Sequence, residues 1–149
     1  MNDMTNQNGF ALFEVLITVI IMAIGLLGLA ALQVTSLKAN HGALQKTQAT
    51  FLAYDMVDRI RSNRNEGIAG NYDIDISDIK PTGTTLPEVD LNDWLTSISD
   101  LLPSGDGAVA CDGSGICTIN ITWNIEREGI VDGSNNPVSL RTFTVATQI

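Results

Sequence analysis

From Phe10 to Leu32 the chain carries one charge, Glu14, in an otherwise apolar run. A helix of ~23 residues rises ~34 Å, enough to cross the ~30 Å hydrocarbon core of a bilayer. The run begins abruptly. Asn2 to Asn8 are nearly all polar, and Gly9 is a hinge before Phe10. A secretory signal peptide needs a basic segment first and small residues at a cut after its apolar core. Here no Lys or Arg precedes the core. A cut at Gly9 would fall ahead of the core and leave the run on the mature chain as an anchor. The carboxylate is the second oddity. A charge inside a span costs ~2.5–3.5 kcal/mol on insertion scales, so it needs a partner and a purpose.

Gly9-Phe10, with Glu14 four residues on inside Phe10–Leu32, resembles the type IV prepilin family. The resemblance implies cleavage between Gly9 and Phe10 by a prepilin peptidase, which also methylates the new amino group of Phe10. It implies that Glu14 serves subunit addition. A buried carboxylate seeks a buried cation, and the new amino terminus of the same or a neighbouring chain supplies one. One departure stands out. Prepilin leaders usually carry Lys or Arg, whereas Asp3 is the only charge in this one.

The chain has 149 residues and a net charge of −9, with 8 Lys and Arg against 17 Asp and Glu. That length suggests one small domain besides the span. An acidic chain argues against DNA or RNA as partner, because phosphate binding needs a basic patch. Lys46, Arg59, Arg61 and Arg64 lie near one another in sequence. They read as a solvated helix face with cations toward the helix C-terminus. Cys111 and Cys117 are the only cysteines. In an exported chain such a close pair reads as a disulfide, with a free or metal-bound pair as the alternative. Metal is disfavoured, because the one His, His41, is far away and zinc wants four ligands.

Residues 1–9 are a leader, to be removed. Residues 10–32 are the membrane and assembly half of a long helix, with Gly25 and Gly28 as small residues that let helices approach. Residues 33–66 continue it. Ala49, Leu52, Ala53, Met56, Val57 and Ile60 follow helical spacing, with Gln48, Tyr54, Asp55, Asp58 and Arg61 opposite. Gly67 is the expected left-handed stop. Residues 67–149 form a β-rich head. Gly67–Glu88 reads as a linker with one short strand at Tyr72–Ile76. Its Asp73, Asp75 and Asp78 read as a solvated acidic loop, since a calcium loop's Gly and distal Glu are missing.

Asp90–Leu102 is an amphipathic helix. Leu91, Trp94, Leu95, Ile98, Leu101 and Leu102 share a face, and Asp90 and Asp93 suit a capped start. Ala108–Cys111 and Gly115–Glu128 form a hairpin whose turn, Asp112 to Gly115, can be stapled by the cysteines. Cys117, Ile119, Ile121, Trp123 and Ile125 alternate with polar residues as one half-buried strand. Asp132–Pro137 is a turn, and Val138–Thr147 the last strand. The fold class is therefore α+β: a type IV pilin-like fold, with the distal half of the helix packed on a small antiparallel sheet.

Asp58-Arg59-Ile60-Arg61-Ser62-Asn63, the Asp93-Trp94 helix running to Leu102-Pro103-Ser104-Gly105, and Ile121-Thr122-Trp123 resemble PilV-type minor pilins, also called type IV pilus modification proteins. This implies a low-abundance pilin that helps initiate or modify a pilus. Its partners would be the prepilin peptidase and N-methyltransferase, other minor pilins, the major pilin and the inner-membrane assembly platform. It would be a single-pass inner-membrane protein with its head in the periplasm, later at the cell surface. No catalytic set, phosphate-cradling motif or dinucleotide loop is visible, so neither an enzyme nor a cofactor is expected. A type II secretion pseudopilin shares the N-terminal motif. A tip adhesin would use the acidic linker or the disulfide hairpin. A soluble exported protein cut after Ala30 is disfavoured by the missing basic segment.

Overall fold

A long helix and a three-stranded antiparallel sheet dominate the computed structural model, which describes residues 12–125 and 139–149. The elements in order are α1 (Leu12–Ser62), α2 (Arg64–Ile68), α3 (Leu86–Leu101), β1 (Asp106–Cys111), β2 (Ile116–Asn124) and β3 (Leu140–Gln148). The sheet order is β1-β2-β3. The leader, Gly9, Phe10, the ends of the expected strands at 126–128 and 138, and the Asp132–Pro137 turn lie outside the described residues. The chain divides into two units, Met1–Ala39 and Asn40–Ile149.

In the second unit the helical spacing becomes burial. Ala49, Leu52, Ala53, Met56, Val57 and Ile60 are all buried, while Tyr54, Asp55, Asp58 and Arg61 are exposed. These six join Leu91, Trp94, Leu95 and Ile98 of α3 and the inward row of β2, Cys117 to Trp123, in one apolar core. Each fully buried large side chain contributes ~1.5–3 kcal/mol relative to exposure. Trp94 is fully buried, and its indole N–H donates to the Leu52 carbonyl at 2.9 Å, so the core contains no orphaned donor there. Gly107 is what lets the ring lie against β1. A Cβ there would stand 2.4 Å from a Trp94 ring carbon.

The helix stops differently from the expectation. α1 ends at Ser62, Asn63 leaves helical geometry (φ −126, ψ 47), and α2 restarts at Arg64. Gly67 is not a left-handed stop but a buried residue inside α2. Its reason is space, since a Cβ would meet Ile60 Cγ2 at 2.6 Å and Ile149 Cδ1 at 2.9 Å. The left-handed turn falls at Gly70, φ 79.

Helix α3 also begins earlier than the sequence suggested, at Leu86 rather than Asp90. The cap is Thr85, whose N–H donates to Glu88 Oε2 at 3.1 Å, with Pro87 in the first turn where it costs no hydrogen bond. The hydroxyl and N–H of Thr85 hold the Glu88 carboxyl below the usual range. Asp90 and Asp93 are therefore not the caps. Leu101 is exposed rather than on the core stripe, because the chain turns extended at Leu102, which is buried. The expected strand at Tyr72–Ile76 is a single bridge, Ile74 to Val109, with N–H···O distances of 2.9 Å in both directions.

Strands β1 and β2 pair as expected, with Cys111 opposite Cys117. From Cys117 to Asn124, strand β2 alternates between buried and half-buried, after an exposed Ile116. Strand β3 lies along β2 from Leu140 opposite Asn124 to Gln148 opposite Ile116, with Phe143 and Val145 packed against the core.

Candidate functional site

In the first unit, residues 12–39 are helical and every one is exposed. Leu12 to Leu32 is long and apolar enough to cross a membrane, and none of that apolar window is buried. Thr18, the one hydroxyl between Leu12 and Leu32, donates back to the Val15 carbonyl at 2.8 Å. That removes its polar demand on the surroundings. Glu14 is the single charge between Leu12 and Leu32, exposed in the first turn of the described helix. Apart from the helix's own backbone and adjoining residues, no described atom lies within 4 Å of a Cβ built at Gly25 or Gly28, so a neighbouring helix can approach closely there. This surface needs lipid or protein around it, because a helix apolar on every side has no face to give to water. Gly9 and Phe10, the expected cleavage and methylation residues, lie outside the described residues.

The second unit holds its polar groups in local braces. Arg59 bridges Asp55 (2.9 Å) and Asp90 (3.0 Å), tying α1 to α3. Asp90 also accepts the buried Tyr72 hydroxyl at 2.7 Å, and Asn63 donates to that hydroxyl at 3.3 Å. Burial raises the Tyr72 phenol to about 12. The Asn63 donor opposes the shift, and Asp90 adds to it. Arg59 is thus a structural clamp, while Lys46, Arg61 and Arg64 are exposed, as the solvated face read from the sequence expects.

The aspartates of the acidic loop are exposed, as expected, and two of them accept backbone N–H groups. Asp73 Oδ1 accepts the Cys111 N–H and Asp78 Oδ2 the Asp75 N–H, at 2.8 and 2.9 Å. Asp106 accepts the N–H groups of Ser77 and Gly107, each at 2.8 Å. Among the described residues, no group of three or more His, Cys, Asp or Glu is placed to hold a metal.

Cys111 and Cys117 form a disulfide across the β1–β2 ladder, closing the Asp112–Gly115 turn. Asp112 braces that turn, accepting from Ser114 and from the Ile116 N–H at 2.8 Å. The Ser114 hydroxyl leads these bonds in holding the Asp112 carboxyl below its usual range. The turn then receives the end of the last strand, because the Ile149 N–H donates to the Gly115 carbonyl at 2.9 Å. Arg64 Nε donates to the Ile149 carbonyl at 2.9 Å and Arg61 to Thr147 Oγ1 at 3.0 Å. No local sequence pattern signals these contacts, since their partners stand more than 80 residues apart in the chain.

A family model described as the prokaryotic N-terminal methylation motif matches residues 4–30, which contain Gly9, Phe10 and Glu14. A second, described as type IV pilin Tt1218, matches residues 31–86, from the distal half of α1 to the start of α3. No curated protein and no solved structure matches the chain. The two matches adjoin without a gap, and the long apolar helix with a small antiparallel sheet is consistent with the type IV pilin fold. A methylation motif of this type implies processing by a prepilin peptidase and assembly with other pilins. The chain thus carries a prepilin-type N-terminal methylation motif, followed at once by a stretch similar to a type IV pilin.

Proposed function

We propose that this pilin is a minor, PilV-type subunit that helps initiate or modify a type IV pilus. The observation that carries its assembly role is the exposed apolar helix with Glu14 as its one charge. Before assembly, lipid covers that helix, with the head in the periplasm. In the fibre, the helices of neighbouring subunits replace the lipid. Prepilin peptidase cuts between Gly9 and Phe10, and Phe10 is then N-methylated. The new ammonium is the cation that Glu14 meets. A carboxylate in an apolar interior strongly favours such a pair, because removing one partner strands the other at a cost of ~3–5 kcal/mol. The pair sets the axial register of the incoming subunit.

The minor role rests on the PilV-like stretches around Asp58–Asn63, Asp93–Gly105 and Ile121–Trp123. Mass spectrometry of the membrane-extracted protein tests the processing. The expected N-terminus is N-methyl-Phe10, and an intact Met1 on fibre-incorporated protein contradicts it. Deleting the gene tests the role. Loss or thinning of pili with unchanged enzyme secretion is expected, whereas a secretion defect with normal pili would make the chain a pseudopilin.

A further inference from the structure

Three strands bring one row of side chains to the same end of the sheet. Cys117 lies between Cys111 on β1 and Thr147 on β3. Cys117 is fully buried, while Cys111 is half-buried. Beyond that row the chain is held at four points. The Ile149 N–H reaches Gly115 in the stapled turn, its carbonyl takes Arg64, and its Cδ1 sits against Gly67. Thr147 takes Arg61. Gly115 sits at φ 86 and is buried, with Arg64 Nη2 only 3.5 Å from the position of a Cβ. The turn, the α1–α2 corner and the end of β3 therefore share one small joint.

We infer that the Cys111–Cys117 disulfide and the seated end of β3 form a redox-coupled latch, each protecting the other. The coupling has a physical cause on both sides. A reductant reaches the pair from the half-buried Cys111 side, and attack there expels the Cys117 sulfur as a thiolate. While Thr147 and Ile149 are seated, that thiolate stays in the apolar core, where Cys117 is fully buried, which disfavours the opened pair. In the other direction, the staple fixes the turn whose Gly115 carbonyl anchors Ile149. Cutting it restores freedom to the turn and weakens the anchor. Linkage makes the two effects reciprocal. Formation of the bond balances as an exchange. The two thiols give up two protons and two electrons to a disulfide donor, which leaves as a dithiol. The end of β3 would then seat firmly only after the chain has met such a donor.

The test uses the full chain in detergent micelles. Wild type, Arg64→Ala and Arg64→Lys are equilibrated in dithiothreitol redox buffers, and free thiols are trapped and weighed. Hydrogen exchange is followed in oxidised and reduced wild type. The latch predicts that Arg64→Ala shifts the reduction equilibrium at least threefold toward the dithiol, and that Arg64→Lys shifts it less. It also predicts that reduction raises exchange about tenfold at residues 145–149 and leaves α3 unchanged. Equal reduction in wild type and Arg64→Ala would overturn it. So would exchange that rises evenly through the head, or that does not rise at the end of β3.

Discussion

Residues 12–39 and residues 40–149 meet opposite demands with the same kind of helix. In the first unit apolar side chains point in every direction, and every described one is exposed. In the second, Ala49, Leu52, Ala53, Met56, Val57 and Ile60 fall on one buried stripe, with Leu44 and Phe51 exposed outside it. Helical geometry alone thus says little about what a helix does. The angular distribution of its apolar groups decides whether the chain completes its own core or leaves a surface for lipid and neighbours. The placement of charge follows the same division. Glu14 stands alone in an apolar stretch, whereas Arg59, Asp55 and Asp90 neutralise one another within the head.

The comparison breaks most visibly through a core substitution. Trp94→Ala should destabilise the head by ~3–5 kcal/mol, because it removes a fully buried ring and opens a cavity. Leu26→Ala, in the exposed apolar helix, should change head stability by less than about 0.5 kcal/mol. Denaturant unfolding followed by tryptophan fluorescence measures both. Similar losses in the two variants would mean that the units do not differ as described.

A smaller effect probes the head's charge clamp. Arg59→Ala leaves Asp90 facing Tyr72 without its cation and should cost ~1–3 kcal/mol in the same assay. Tyr72→Phe removes one hydrogen bond while keeping the ring, and about 1 kcal/mol is expected. The pH dependence separates the two variants. The folded state raises the Tyr72 pKa, so its contribution is complete below the ordinary value near 10 and is lost as pH climbs to about 12. Wild type should lose roughly 1–2 kcal/mol from this group across that window, and Tyr72→Phe should not. Smallest of all is Thr85→Ala. It should cost about 1 kcal/mol and fray only the first turn of α3, visible as faster amide exchange near residues 86–89.

Periodic burial was legible from the sequence because it is local. The 49–60 stripe, the alternation of β2, the placement of Trp94 in the core and the Cys111–Cys117 pair all follow from spacing within a few residues. Boundaries were less legible. Pro87 reads as a breaker until Thr85 and Glu88 are seen to make it part of a helix start. Gly67 reads as a stop until Ile60 and Ile149 show that its value is its missing side chain. The contacts from Arg59 to Asp90 and from Arg64 to Ile149 leave no local trace, since each is set by how separate elements pack. Of the site itself, the apolar run and Glu14 were legible because membrane-length hydrophobicity and an isolated charge are compositional signals.

The role of Glu14 is tested most directly by measuring how much of the protein enters fibres when that carboxylate is removed. Glu14→Ala should remain in the membrane fraction at wild-type level and fall at least tenfold in sheared pili, with Glu14→Asp intermediate. Wild-type amounts of Glu14→Ala in sheared pili would contradict the pairing of this carboxylate with the processed amino terminus.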